Sequence, residues 1–176
     1  MTDTPHLDLR APTVADGPAL FRIAANSAAL DVNSPYAYLL WCRDFAATSV
    51  ITHFDRRPAA FATGYRRPDE ATTLMMWQVA VESAHRDAGI AGLMLDHLTQ
   101  RLQPEGVTHM EASTTPDNVA SQRLFGAFAR RWDAPLERHE LFGDELFPDG
   151  HASEQLLRIG PLRVDRQVEQ VVDGGT

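Results

Sequence analysis

Cysteine is almost absent from this 176-residue chain, where Cys42 stands alone. A single thiol excludes an internal disulfide and suits a reducing compartment. Long apolar runs are missing too: no stretch approaches the roughly 20 residues that span a bilayer. Met1-Thr2-Asp3-Thr4-Pro5 lacks the basic region followed by an apolar one that marks a secretory leader. Positive charge is scarce, with 24 acidic residues against 16 basic ones and a net charge of −8. That balance argues against non-specific binding to nucleic acid or an anionic membrane, and an anionic ligand would have to be held locally. The seven histidines (His6, His53, His85, His97, His109, His139, His151) form no His-Glu-x-x-His motif, and no Cys-x-x-Cys exists, so no metal site is expected. A soluble, cytoplasmic protein is the expectation.

What is present is the composition of an ordinary globular chain, 44% hydrophobic and long enough to bury a sizeable core in one domain. No repeat and no linker is visible, which sets one domain over 7–161 with flexible termini at 1–6 and 162–176. Leu7 to Arg10 alternates like a short strand. Leu20, Ile23 and Ala24 share one face of a helix opened by Thr13 or by Gly17-Pro18. Asp31-Val32-Asn33-Ser34-Pro35 is turn chemistry, followed by a helix with Tyr36, Leu39, Leu40 and Arg43 along one side. Thr48 to Phe54 and Ala59 to Arg66 flank a hairpin turn at Asp55-Arg56-Arg57-Pro58. Val107 to Thr114 is a further strand, and Thr115-Pro116 opens a helix with Ser121, Leu124, Phe125 and Phe128 on one face. Leu136 to Phe142 and Gln155 to Ile159 are the last strands, around a polar loop at Phe147 to Ser153. Val168 to Thr176 reads as a frayed tail. The order predicts a mixed α/β fold, a sheet with helices on both faces.

The chain is organised around Trp77-Gln78-Val79-Ala80-Val81-Glu82-Ser83-Ala84-His85-Arg86-Asp87-Ala88-Gly89-Ile90-Ala91-Gly92-Leu93. From Leu74 to Val81 only Gln78 is polar, which predicts a strand covered on both faces. After the turn, Ile90, Leu93, Met94, His97 and Leu98 form one helical stripe. Gly89 and Gly92 let a ligand approach the backbone where helix N–H groups are unpaired, a geometry that attracts phosphates. Neither the Gly-x-x-x-x-Gly-Lys-Ser/Thr loop nor Gly-x-Gly-x-x-Gly is present.

Arg86-x-x-Gly89-x-Ala91 resembles the Arg/Gln-x-x-Gly-x-Gly/Ala signature of the GNAT superfamily of N-acetyltransferases. That resemblance implies the GNAT acyl-CoA N-acyltransferase fold, with a splayed mixed sheet and acetyl-CoA as co-substrate. It assigns the pyrophosphate to Arg86, Asp87, Ala88, Gly89, Ile90, Ala91 and Gly92. It assigns pantetheine and the thioester carbonyl to main-chain groups of Val79 and Val81, with a further contact at Asn118. A guanidinium at the mouth of an N–H nest adds a charge-assisted contact. Many members carry a tyrosine about seven residues after that Asn as general acid; here Phe125 stands there, so water or another group must serve.

Four further blocks narrow the likeness: Leu30 to Leu40, Phe61 to Pro68, Trp77 to Val81, and Thr114 to Ser121. In the same order they resemble the L-2,4-diaminobutyrate acetyltransferases of ectoine synthesis, over about Leu9 to Pro161. The resemblance implies acetyl transfer to the γ-amine and a homodimer. It places Asp31, Trp77 and Glu154 in the acceptor pocket, with Asn33, Tyr36 and Tyr38 nearby. Asp31 and Glu154 are the candidate catalytic residues. A diamino acid carries two ammonium groups, and acidic side chains in a partly dry cleft suit it. Two alternatives stand beside this one: a GNAT enzyme for another small amine, and a non-catalytic acyl-CoA sensor, for which Phe125 argues.

Overall fold

The computed structural model describes residues 6–27 and 30–163. Its elements are β1 (Leu7–Arg10), α1 (Gly17–Ala25), α2 (Pro35–Asp44), β2 (Val50–Phe54), β3 (Arg57–Arg67), β4 (Glu70–Val81), α3 (Ile90–Leu102), β5 (His109–Thr114), α4 (Val119–Arg131), β6 (Leu136–Phe142) and β7 (Glu154–Ile159). The seven strands form one open sheet in the order β1-β2-β3-β4-β5-β7-β6. Neighbouring strands run antiparallel except β4 and β5, whose parallel pairing requires a crossover, supplied by α3. Helices cover both faces, as the element order predicts. On one side α3 and α4 press Ile90, Met94, Leu98, Phe125 and Phe128 onto Leu74, Met110 and Leu157. On the other, α1 and α2 press Leu20, Ile23, Tyr38 and Cys42 onto Ile51, Phe61 and Ala80.

Three apolar faces differ from the sequence expectation. In α2 the buried residues are Tyr38 and Cys42, whereas Tyr36 is 66% and Leu39 37% exposed. Aromatic and aliphatic side chains occur on both sides of this helix, so periodicity alone does not select the buried one. In α3, Leu93 lies outside and Leu95 and Leu102 inside, because the helix packs against both the sheet and α4. In β4, Trp77 is half exposed and Gln78 is buried. The cause is a β-bulge: Gly64 pairs with Met76 and Thr63 with Gln78, leaving Trp77 as the extra residue. A bulge interrupts the alternation of faces along its strand. Gly64 has a steric reason to be glycine, since a Cβ there would lie 2.8 Å from the Met75 carbonyl.

Beyond the packed helices the sheet is joined by charge. Glu111, 1% exposed, accepts from Arg67 at 3.1 Å and from Arg158, and Arg158 also donates to Glu70 at 3.0 Å. The network links β3, β4, β5 and β7. At the C-terminal end, Leu162, assigned to a flexible terminus from sequence, is buried, and its N–H donates to the Thr108 carbonyl at 2.8 Å. The expected tail at Val168 to Thr176 lies outside the described residues.

Candidate active site

The sheet opens where its two parallel strands part. β4 and β5 pair only from Thr73 to Met76 against His109 to Ala112. Beyond that point β5 stays with β7 as far as Thr114↔Gln155, and β4 stays with β3 as far as Val81↔Ala60. Trp77 to Val81 therefore present an edge with no strand beside it. The Glu82 N–H donates to the Ala59 carbonyl at 2.8 Å, towards β3. Because main-chain direction alternates along an extended strand, the N–H and C=O of Val79 and Val81 face the opening. The Val81 carbonyl already meets one group there, the Arg86 Nε at 3.3 Å.

The loop after β4 continues this edge. Asp87 and Gly89 take left-handed conformations with φ of 64° and 74°, and α3 starts at Ile90. The first helical bond closes from the Leu93 N–H to the Gly89 carbonyl at 3.1 Å. Among the described residues, the amides from Asp87 to Gly92 have no backbone acceptor, so they form the positive end of α3. A Cβ on Gly89 would meet nothing within 4 Å, so backbone conformation, not space, calls for glycine there. At Gly92 the approaching group is protein. A Cβ would lie 3.2 Å from the Arg131 guanidinium, which donates to the Gly92 carbonyl and pairs with Asp96.

Asn118 is the N-cap of α4. Its Oδ1 accepts from the Ser121 N–H at 3.0 Å, which leaves its NH2 group available to a ligand. Phe125 is packed in the core at 4% exposure.

Three side chains meet at the mouth of the opening, Asp31 coming from a turn far along the chain from His151 and Glu154. His151 Nε2 lies 3.5 Å from Asp31 Oδ2 and 3.7 Å from Glu154 Oε1. Glu154 is the first residue of β7, adjacent to the end of β5; Asp31 is tied to β4 through its carbonyl, which accepts from Gln78 Nε2 at 2.8 Å. Burial pushes the Glu154 carboxyl above the usual range, an effect that Ser113 and His151 partly offset. Its Oε2 is buried without a hydrogen-bond partner, an acceptor in a position to receive a donor from a ligand. His151 is held above its ordinary value, first by the bond between Nδ1 and the Ala152 carbonyl at 2.6 Å and then by the two carboxylates. The sequence reading did not select His151, because an isolated histidine in a polar loop carries no spacing signal.

The remaining acceptor candidates separate. Trp77 stacks on Trp41 with ring centroids 6.0 Å apart and stays half exposed. Tyr36 is exposed, and Asn33 is half-buried. Tyr38 is 1% exposed, and its hydroxyl donates to Gln78 Oε1 at 3.1 Å. Among the described residues no group of His, Cys, Asp and Glu has a metal-holding arrangement, and no helix is long and apolar enough to cross a membrane.

Comparison with known proteins agrees with this fold. Residues 19–129 match the Acetyltransferase (GNAT) family. The L-2,4-diaminobutyric acid acetyltransferase of Streptomyces anulatus is 52% identical over 159 residues, covering 89% of this chain and 90% of that protein. The protein of the same name from Streptomyces coelicolor is 53% identical, covering 89% and 94%. A solved structure of diaminobutyrate acetyltransferase EctA from Paenibacillus lautus, in complex with its substrate L-2,4-diaminobutyric acid and coenzyme A, is similar with a TM-score of 0.86. It is 36% identical and covers 92% of this chain and 99% of that one. The ribosomal-protein-S18-alanine N-acetyltransferase of Escherichia coli, 16% identical with a TM-score of 0.65, shares the fold. A splayed parallel pair, an amide-lined loop and relatives of this identity converge: the chain belongs to the GNAT acetyltransferase family, in the group of the L-2,4-diaminobutyric acid acetyltransferases.

Proposed function

We propose that this protein transfers acetyl from acetyl-CoA to the γ-amine of L-2,4-diaminobutyrate, giving Nγ-acetyl-diaminobutyrate by direct attack in a ternary complex. The observation that carries the reading is the Asp31–His151–Glu154 cluster, set across the mouth of the gap between β4 and β5. Pantetheine lies in the gap along the main chain of Val79 and Val81. The pyrophosphate rests on the amides from Asp87 to Gly92, with Arg86 adding charge and Asn118 a hydrogen bond.

An amine attacks a thioester only when neutral. From a reference pKa near 10.4, neutralising it near pH 7.5 costs about 4 kcal/mol. A carboxylate raised by burial is a better proton acceptor than an exposed one, so Glu154 suits both the ammonium and its departing proton. Asp31 is the second anionic anchor, and His151 holds the two carboxylates together. Fixing the α-ammonium and the carboxylate of the substrate leaves only the γ-nitrogen within reach of the thioester. Main-chain N–H groups at Val79 and Val81 meet the oxyanion that forms. With Phe125 in the core, the leaving thiolate takes its proton from water or from a group of the cleft. Cys42 takes no part: burial pushes its thiol up to about 11, so it stays protonated and is a poor nucleophile.

A cytoplasmic homodimer acting in ectoine synthesis, and so in osmoprotection, extends the same proposal. Tyr36, Leu39, Phe45, Phe142 and Leu146 are exposed apolar side chains that a second copy could cover. The reading is tested by release of free thiol from acetyl-CoA with diaminobutyrate, ornithine, lysine or spermidine as acceptor. The expected result is kcat/KM highest for diaminobutyrate. A preference for spermidine transfers the assignment to another amine, and no thiol release with any acceptor makes the protein a sensor.

A further inference from the structure

The only polar side chain between Leu74 and Val81 is buried. An amide in such a position is costly unless both of its ends are bonded, and Gln78 uses both. The Asp31 carbonyl can only accept, so the group facing it at 2.8 Å is the Gln78 NH2. That fixes Oε1 towards Tyr38, whose hydroxyl must be the donor at 3.1 Å. Tyr38 is itself rigid, with its ring clasped edge-on by Phe21 and Phe61 at centroid distances of 5.9 and 6.1 Å.

The other end of this strut is far less restrained. The Asp31 side chain is 93% exposed, and its one ion pair among the described residues is with His151. In the turn from Leu30 to Ser34, among the described residues, the Gln78 amide makes the one hydrogen bond to the sheet. Gln78 also sits between Trp77, the bulged residue, and Val79, whose main chain faces the gap. One dipeptide step thus joins the edge proposed for the thioester to the turn that carries the acceptor's anchor.

We propose that Gln78, braced by Tyr38, is a positioning residue that sets the distance between the Asp31 carboxylate and the open edge of β4, and so selects the length of the diamino acid. This rests on the reading that Asp31 anchors the acceptor. Too short or too long a spacer between the two nitrogens then misplaces the nucleophile, at no cost to cofactor binding.

Steady-state kinetics of Gln78→Met, Gln78→Glu, Tyr38→Phe and Asp31→Asn, each checked for folding by its melting temperature, test the inference. Gln78→Met should raise KM for diaminobutyrate by about tenfold, the effect of losing one well-made hydrogen bond, and leave KM for acetyl-CoA within about twofold. Gln78→Glu keeps the bond from Tyr38 but cannot donate to the Asp31 carbonyl, so it should be at least as impaired. Tyr38→Phe should be milder, because the bond to Asp31 survives. Discrimination between diaminobutyrate and ornithine should fall in both Gln78 variants. A folded Gln78→Met with both KM values and the discrimination unchanged, beside an Asp31→Asn whose acceptor KM rises, overturns the positioning role alone. Wild-type protein that does not acetylate diaminobutyrate overturns the inference together with the functional reading beneath it.

Discussion

At the scale of single residues, function and stability pull Glu154 in opposite directions. Its carboxyl is raised by burial, which means that the native state is penalised wherever the group is ionised. Below the unfolded value both states are protonated and nothing is lost; as pH rises past the raised native value, the penalty is complete. Glu154→Gln should therefore melt higher than wild type at pH 7 to 8, lose that advantage below about pH 4, and reduce kcat/KM by roughly a hundredfold or more. Thermal melts across pH alongside the thiol-release assay check both halves. Cys42→Ala makes the contrasting case: it removes a buried side chain at a cost of about 1 kcal/mol, yet kcat should stay within about twofold, because no acetyl-cysteine forms. Asp31 and Glu154 were legible only through the resemblance, since a turn aspartate and a loop glutamate carry no pattern of their own. His151 was not legible at all: it gains meaning only when the fold sets it between two carboxylates.

At the scale of elements, the unit of β4, its loop and α3 is the part the sequence reveals best. An apolar run, a glycine turn and a helical stripe are all local signals, and the structure follows them from Leu74 to Leu102. The exceptions have non-local causes. Trp77 turns outward because Gly64 on β3 permits a bulge, and the buried Tyr38 of α2 has its hydroxyl hydrogen bond accepted by Gln78 on β4. The two glycines of the loop differ in the same way, and their substitutions should separate. Gly89→Ala forces a Cβ onto a left-handed residue, costing about 1 kcal/mol, and should raise KM for acetyl-CoA while leaving KM for the amine unchanged. Gly92→Ala meets only the far end of the Arg131 side chain, which can shift, and the helix gains alanine's better propensity, so the melting temperature should stay near that of wild type.

At the scale of the whole molecule, the mixed sheet with helices on both faces was legible from element order, but the position of β7 between β5 and β6 was not. Strand order depends on pairings that no local pattern encodes. That insertion puts Arg158 beside Glu111 and Glu154 at the mouth of the gap, so the same topological choice builds the charge network and the proposed acceptor site. Glu111→Ala removes the buried carboxylate that Arg67 and Arg158 share but leaves them Asp69 and Glu70, and should destabilise the protein by about 2 kcal/mol. Denaturant unfolding would show that loss, with kcat/KM of the folded fraction little changed. All of these roles presuppose one geometry, a thioester lying in the gap with its reactive end at the cluster. A crystal structure with coenzyme A and diaminobutyrate bound together tests it most directly. The expected result is pantetheine against the main chain of Val79 and Val81, with the γ-nitrogen between the sulfur and the Glu154 carboxylate. Coenzyme bound elsewhere, or a γ-nitrogen turned away from Asp31 and Glu154, would contradict it.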